Sequence, residues 1–185
     1  TNGSILSSVD GVNWIQESSG ISGSNLYSSA YGNGVFVTVG THGKVLSSPD
    51  GLTWSQDVSS VSAYLSSIIY ANSLFVIVGA GGAILTSADG IAWSQESSGT
   101  EVGINDITYG DNQYVAVGNN IILTSPDGRS WRVTFTSTQL QSITYGYNQY
   151  IATGVSGVIM RSIDGVNWTQ ESSGAQVTLY NVVAR

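Results

Sequence analysis

Five times in 185 residues the chain writes S-x-D-G-x-x-W. The copies are Ser8-Asp10-Gly11-Trp14, Ser48-Asp50-Gly51-Trp54, Ser87-Asp89-Gly90-Trp93, Ser125-Asp127-Gly128-Trp131 and Ser162-Asp164-Gly165-Trp168, and they hold all five tryptophans. Successive tryptophans stand 40, 39, 38 and 37 residues apart, the drift of one fixed unit with trimmed loops. Self-similarity at this period marks a repeat array, in which a unit too small to bury its own apolar face stacks on its neighbours.

Each unit carries four short runs. The first has Leu65-Ile68-Tyr70, Ile104-Ile107-Tyr109 and Leu140-Ile143-Tyr145 as its copies. The second is VFVTVG (35–40), LFVIVG (74–79), QYVAVG (113–118) and QYIATG (149–154). The third is SILSS, KVLSS, AILTS, IILTS and VIMRS, and the fourth starts at each tryptophan, as in WSQESSG. The runs are short, β-branched or aromatic, and bounded by Gly, Asn, Asp or Ser, which is the chemistry of strands and hairpin turns. No helical period of useful length competes with it. Four strands in about forty residues, repeated, make the blade of a β-propeller. A solenoid coil is shorter, and a sandwich needs no such repetition. The expectation is an all-β, five-bladed β-propeller of four-stranded antiparallel blades in one domain. The blades fall at about 22–59, 60–99, 100–137 and 138–174, with a closing blade from 175–185 plus 1–21.

Charged residues are only 9 % of the chain, against about a quarter in ordinary domains. Five Lys and Arg against a formal charge of −7 cannot make the basic footprint of a nucleic-acid binder or hold an anionic membrane surface. Without cysteine there is no disulfide or thiolate site, and one histidine, His42, excludes a multi-histidine metal centre. No metal or cofactor is expected. No apolar run reaches a membrane span, and no signal peptide is visible at Thr1. Low charge with abundant Ser, Thr and Asn suits an extracellular or cell-surface protein. In that setting Asn2 (Asn2-Gly3-Ser4) and Asn167 (Asn167-Trp168-Thr169) are glycosylation acceptors.

The repeated element resembles the Asp-box, or BNR-like repeat, of sialidase-type propellers, seen also in sortilin-type receptors and photosystem II assembly factors. The resemblance runs through five copies and thus nearly the whole chain. The family's usual box, S-x-D-x-G-x-T-W, is one residue longer, so glycine directly after aspartate implies a tighter turn here. The resemblance places the box at the hairpin between a blade's third and fourth strands. There an aspartate accepts bonds from the N–H groups that a tight turn exposes, serine does so more weakly, and glycine takes positive φ. The tryptophan wedges between blades and seeks a partner for its indole N–H; its truncation should cost about 3–5 kcal/mol. Five identical contexts argue for turn-holding rather than five catalytic or cation sites, and a lone D-G pair lacks the carboxylate density of a calcium loop. A second acid follows the tryptophan at Glu17, Asp57, Glu96 and Glu171, with Thr134 in the fourth copy. It falls on the outermost strand, where charge blunts unwanted edge pairing.

Ligand contacts are expected on the face opposite the boxes, whose loops diverge while the frame repeats. Tyr27, Tyr64, Asp106, Gln141 and Tyr180 belong to the loops before each first strand, and His42 and Asn119 to the loops between second and third strands. Exposed Tyr with Asn, Gln and Asp suits sugars and protein surfaces equally, and ordinary loop packing is the competing reading. A sialidase-like site needs three convergent arginines with an acid and a nucleophile. Arg129, Arg132 and Arg161 lie in or beside boxes and Arg185 is terminal, so no triad assembles. A Ser–His or Cys–His relay has no support either, and no catalytic residue is expected.

The closing blade is short. Seventeen residues follow Trp168 and fourteen run up to Trp14, 31 in all, 6 to 9 below the other periods. What is lacking is the second strand. A gap, a longer parent chain or a strand from another chain would account for it, and an open sheet edge is a template for strand addition. The leading expectation is therefore a non-catalytic interaction or structural module. Its partner is itself, as oligomer or filament, or another protein. A lectin-like glycan binder is the alternative and a sialidase-like glycosidase the weaker third.

Overall fold

The structure, a computed structural model, describes residues 3–184. Its elements are β-strands and one-turn 3-10 corners. The chain divides into two compact units, Thr1–Ile77 with Leu85–Gln95 and Val78–Ile84 with Glu96–Arg185.

The first unit opens with β1 (Ile5–Ser7) and β2 (Ile15–Glu17), an antiparallel pair that forms a sheet of its own. β3 (Leu26–Gly32), β4 (Val35–Gly40), β5 (Val45–Ser48) and β6 (Ser55–Asp57) follow as a four-stranded antiparallel meander. β7 (Leu65–Ala71), β8 (Leu74–Gly79), β9 (Ile84–Ser87) and β10 (Ser94–Glu96) repeat that order. In the second unit β11 (Ile104–Gly110), β12 (Gln113–Ser125), β13 (Arg132–Gly146), β14 (Gln149–Gly154), β15 (Ile159–Ser162) and β16 (Thr169–Glu171) form one six-stranded run, each beside its successor. The result is an all-β, multi-bladed, propeller-like set of antiparallel sheets.

The turns explain the registers. Between first and second strands stand Asn33-Gly34, Asn72-Ser73, Asp111-Asn112 and Tyr147-Asn148, and all eight residues have positive φ. Two successive left-handed residues are the hairpin turn whose twist matches that of its strands. The turn sets Tyr31 opposite Phe36, Tyr109 opposite Tyr114 and Tyr145 opposite Tyr150. Their ring centroids lie 4.4–4.7 Å apart, with Tyr70 and Phe75 at 4.5 Å.

Each unit has its own core. In the first, Val37, Val39 and Val45 from one sheet meet Leu65, Ile68, Phe75, Ile77 and Leu85 from the next. In the second, Val115, Val117 and Ile122 meet Leu140, Ile143, Tyr150 and Ala152. Burial of each such side chain contributes about 1.5–3 kcal/mol. Two further devices join consecutive repeats. A first-strand glycine lies flat under the next repeat's tyrosine: a Cβ on Gly32 would stand 2.0 Å from the Tyr70 ring, and one on Gly110 2.1 Å from Tyr145. A polar belt runs along the first strands as well. Ser28 Oγ accepts the Ile68 N–H at 3.2 Å. Asp106 Oδ2 accepts the Ser142 hydroxyl at 2.8 Å and the Ile143 N–H at 2.9 Å, and Ser142 Oγ in turn reaches Asn181 Oδ1 at 3.2 Å.

Three features differ from the sequence reading. Residues 132–146 are one strand, so TSTQLQ is strand rather than loop and Gln141 sits on β13. The first half of β13 pairs with β12 and the second half with β14, which leaves no room for a separating loop. β12 also runs unbroken through Asn119 and Asn120, because this repeat lacks the three-residue corner found at Thr41–Gly43, Ala80–Gly82 and Val155–Gly157. A bulge between Asn119 and Ile121, with Asn120 at φ 64°, takes its place. Residues 177–185 match a first strand by sequence, Leu179-Tyr180 echoing Leu26-Tyr27, but the described residues 177–184 form none. The Leu179 N–H donates to Gly154 O at 2.9 Å, but the segment has no second strand to pair with.

Gly110→Ala should destabilise the fold by about 1–3 kcal/mol, the cost of overpacking a filled site. Gly103→Ala, whose Cβ would come no nearer than 3.4 Å to Asn119, should stay close to wild type. Thermal unfolding of the two variants compares them directly.

Candidate interaction site

The repeated turn is the most regular polar structure in the molecule. In all five copies the serine Oγ donates to the aspartate Oδ1 at 2.9–3.0 Å. It accepts the glycine N–H at 2.8–2.9 Å. The aspartate Oδ1 takes the next two N–H groups, as with Val12 and Asn13 at 2.8 Å, and Arg129 and Ser130 at 2.9 and 2.7 Å. Oδ2 is engaged too where a donor is at hand: Asn13 and Asn167 Nδ2 reach Asp10 and Asp164 at 2.7 Å, and Ser130 Oγ reaches Asp127 at 3.1 Å. These donors hold the aspartates well below the ordinary carboxylate range, Asp127 at about 2 through the Ser130 and Arg129 N–H groups. Such a carboxylate is spent on its own turn. Among the described residues no cluster of three acidic, histidine or cysteine side chains could hold a metal.

The turn also aims the tryptophan. The indole N–H of Trp14, Trp54, Trp131 and Trp168 donates to its own turn's glycine carbonyl at 3.0–3.3 Å. Trp93 Nε1 is buried without such a partner. The ring then meets the second-strand aromatic: Phe75–Trp93, Tyr114–Trp131 and Tyr150–Trp168 lie 6.2–6.4 Å apart. Among the described residues Trp54 forms no such ring pair with Phe36, and Trp14 forms none with any aromatic. Trp14 is 60 % exposed, and no second strand stands beside it.

A cleft of about 610 Å³ lies within the first unit. Ile5, Leu6 and Trp14 border it on one side, and Leu26, Tyr31, Phe36, Leu52 and Trp54 on the other. Phe36 and Leu6 are 37 % and 57 % exposed, whereas Phe75, Tyr114 and Tyr150, the counterparts of Phe36, are fully buried.

The acids after each tryptophan are tied to side chains. Ser7 Oγ donates to Glu17 at 2.6 Å and Ser47 Oγ to Asp57 at 3.1 Å. Arg129 pairs with Glu96 and Arg161 with Glu171, both at 3.0 Å. Asp57 Oδ2 is buried without a partner. Burial pushes this carboxyl up, Asp89 adds to the rise, and the Ser47 bond only partly offsets it.

His42 and Tyr64 come together, ring centroids 6.2 Å apart, and both are exposed. Tyr27 is exposed on β3, Tyr180 is exposed outside any strand, and Gln141 is half-buried on β13. Asp106 is spent on the polar belt. Asn119 Oδ1 accepts Gln139 Nε2 at 3.0 Å and Asn105 Nδ2 at 3.3 Å. Asn105 was missed because a lone asparagine in a strand carries no pattern. Asn167 is exposed with its amide on Asp164. Asn2 and Arg185 lie outside the described residues.

No protein-family model matches the chain, and no curated protein does. Solved structures do. YCF48 bound to D1 peptide superposes with a TM-score of 0.70 at 20 % identity, over 91 % of this chain and 60 % of that one. YCF48 from Cyanidioschyzon merolae gives 0.68 at 18 % identity, over 96 % and 68 %. The fold is a β-propeller. It resembles the YCF48 propeller, though the chain spans only about 60 % of the first of these structures. The propeller frame also superposes on virginiamycin B lyase from Staphylococcus aureus, with a TM-score of 0.68 at 13 % identity over 78 % of this chain and 54 % of that one. One frame thus serves unlike chemistries, and the likeness carries the fold alone.

The two kinds of carboxylate pull stability in opposite directions with pH. A lowered carboxylate stabilises the fold above its unfolded value, and the gain is lost as pH falls toward the folded value; a raised one stabilises most in acid and loses the gain as pH rises. Asp127→Ala should lower Tm at neutral pH, with the difference shrinking on acidification. Asp57→Asn should raise Tm at neutral pH, with that difference also fading in acid. Melts of both variants across the acid range check the two signs.

Proposed function

We propose that the chain is a non-catalytic propeller that works as a protein-interaction module through its incomplete blade. The observation that carries this reading is the apolar cleft beside β1, where complete repeats place a buried second strand. A large exposed apolar surface bordered by an open strand edge is what a partner covers. The structure of YCF48 with D1 peptide offers a precedent for a propeller of this shape that takes a peptide. The partner is another protein or a second copy; the latter would give an oligomer or, if the contact does not close, a filament.

The finer architecture belongs to the same proposal: five blades, at 22–59, 60–99, 100–137, 138–174 and 175–185 with 1–21, joined by Asp-box turns one residue short, in an extracellular or lumenal setting. Against an enzyme, the arginines a sialidase-like site would need are engaged elsewhere, Arg129 with Glu96 and Arg161 with Glu171. Glycan binding has the exposed His42–Tyr64 pair in its favour.

Immobilised chain should retain a protein partner or a second copy and turn over no aryl glycoside at any pH. A glycosidase rate that falls with Arg129→Ala would overturn the reading. A glycan-array signal that vanishes with Tyr64→Ala would move it to the lectin class.

A further inference from the structure

Four of the five runs that follow a tryptophan end on glutamine and an acid: Ile15-Gln16-Glu17, Ser55-Gln56-Asp57, Ser94-Gln95-Glu96 and Thr169-Gln170-Glu171. In the structure these are β2, β6, β10 and β16, each three residues long and each at the edge of its sheet. The remaining copy reads Arg132-Val133-Thr134-Phe135-Thr136. It opens β13, where Arg132 to Phe135 pair with Thr124 to Ile121 of β12, and β14 joins only from Leu140 onward. Among the described residues no strand lies along the other edge of 132–136. Arg132, Thr134 and Phe135 are exposed, Phe135 by 75 %. The repeated acid is gone from this edge, and residues of high strand preference stand there instead. β13 lies mid-chain, with paired strands before and after it.

Beyond the reading of the cleft, we propose that residues 132–136 of β13 pair antiparallel with the same residues of a second copy, about a two-fold axis at Thr134, to make a closed dimer. The segment is self-complementary in that register. Val133 falls opposite Phe135 of the second copy, and symmetry makes this β-branched–aromatic pair twice. Opposed residues point to one face of the sheet and positions two apart share it, so the two apolar pairs lie together. Charge decides the occupant. The same register centred on Glu17, Asp57, Glu96 or Glu171 would set an acid directly against its own copy, which is destabilising; at Thr134 that conflict is absent. The two Arg132 side chains fall at opposite ends of the pair, about 14 Å apart and beyond the screening length in salt. Among the described residues Arg132 is in no ion pair, and a second copy, with 12 Asp and Glu against 5 Lys and Arg, meets it with the opposite sign. Each copy uses up its own edge, so the contact closes on two chains and does not propagate. Five residues a side make a weak, reversible interface.

Sedimentation of the full chain is measured in physiological salt, which screens the mutual repulsion of two acidic chains. It should show monomer at low concentration and dimer, with no filament, as concentration rises. The amides of 132–136 should gain protection from hydrogen exchange over the same range. Thr134→Glu restores the repeated acid at an exposed position and should weaken the dimer about tenfold. It should leave the Tm of the monomer in place, because four copies of the run already carry an acid there. Thr134→Lys should weaken the dimer likewise, and the two variants mixed should pair with each other. Phe135→Ser should weaken it by a similar factor. A chain still monomeric at about 1 mM would overturn the proposal. So would a dimer that Thr134→Glu leaves intact, or Thr134→Glu and Thr134→Lys chains that stay apart when mixed. A monomeric chain whose hold on a foreign protein is lost with Thr134→Glu would give the edge to another polypeptide and overturn it as well. Residues 132–136 belong to the second unit and the cleft to the first, so each of these results leaves the reading of the cleft as it stands.

Discussion

A carboxylate oxygen that accepts two backbone N–H groups of a seven-residue turn sets the geometry on which the molecule rests. Serine and aspartate satisfy the N–H groups that the tight bend exposes, and glycine supplies positive φ. The bend then returns the chain at an angle that brings tryptophan over its own glycine carbonyl and onto the second-strand aromatic. From there a ladder of Trp, Phe or Tyr, and Tyr crosses the sheet, and where that last rung is Tyr70 or Tyr145 it lies on a bare glycine of the preceding repeat. Packing between repeats thus depends on a local polar bond network in each turn. Every turn repeats it, so no single turn stands out as a reactive centre.

The architecture was legible because its signals are short-range. The D-G pair, the two-residue hairpin turns and the alternating VFVTVG-type runs each fix their own conformation within a few residues. The count that left the last repeat one strand short needed only the spacing of tryptophans; β1 and β2 form a two-stranded sheet of their own, to which the described residues 177–184 add no strand. The loops were less legible. Whether a repeat turns by a three-residue corner or runs straight through a bulge depends on Asn119 and Asn120 against Thr41–Gly43, a choice made by neighbouring strands. The same holds for TSTQLQ, whose polar composition reads as loop until β12 and β14 both claim it as a pairing partner.

The candidate site divides along the same line. Of the residues chosen for divergence, Asp106 is absorbed by a structural bond and Gln141 by a strand, while His42 and Tyr64 meet. Residues at repeated positions, Trp14, Tyr31 and Phe36, mark the surface that lacks a cover. Divergence is a guide to specificity where the frame is complete. In a frame with a missing member, the neighbours of the gap carry more information, since their side chains are already shaped for what should lie against them. Propellers of unlike activity share the frame, so function has to be read from such local departures.

The polar belt has a directional consequence. Asp106 has only lone pairs to offer there, and it is followed by Ser142, which can give a proton to it or to the next residue along. An acceptor-only residue in one module demands a donor in the module after it. Shuffling or duplicating these modules, as one would in building longer arrays from this sequence, would set carboxylate beside carbonyl wherever that grammar is ignored. The permitted neighbours of each module are thus written in its first strand.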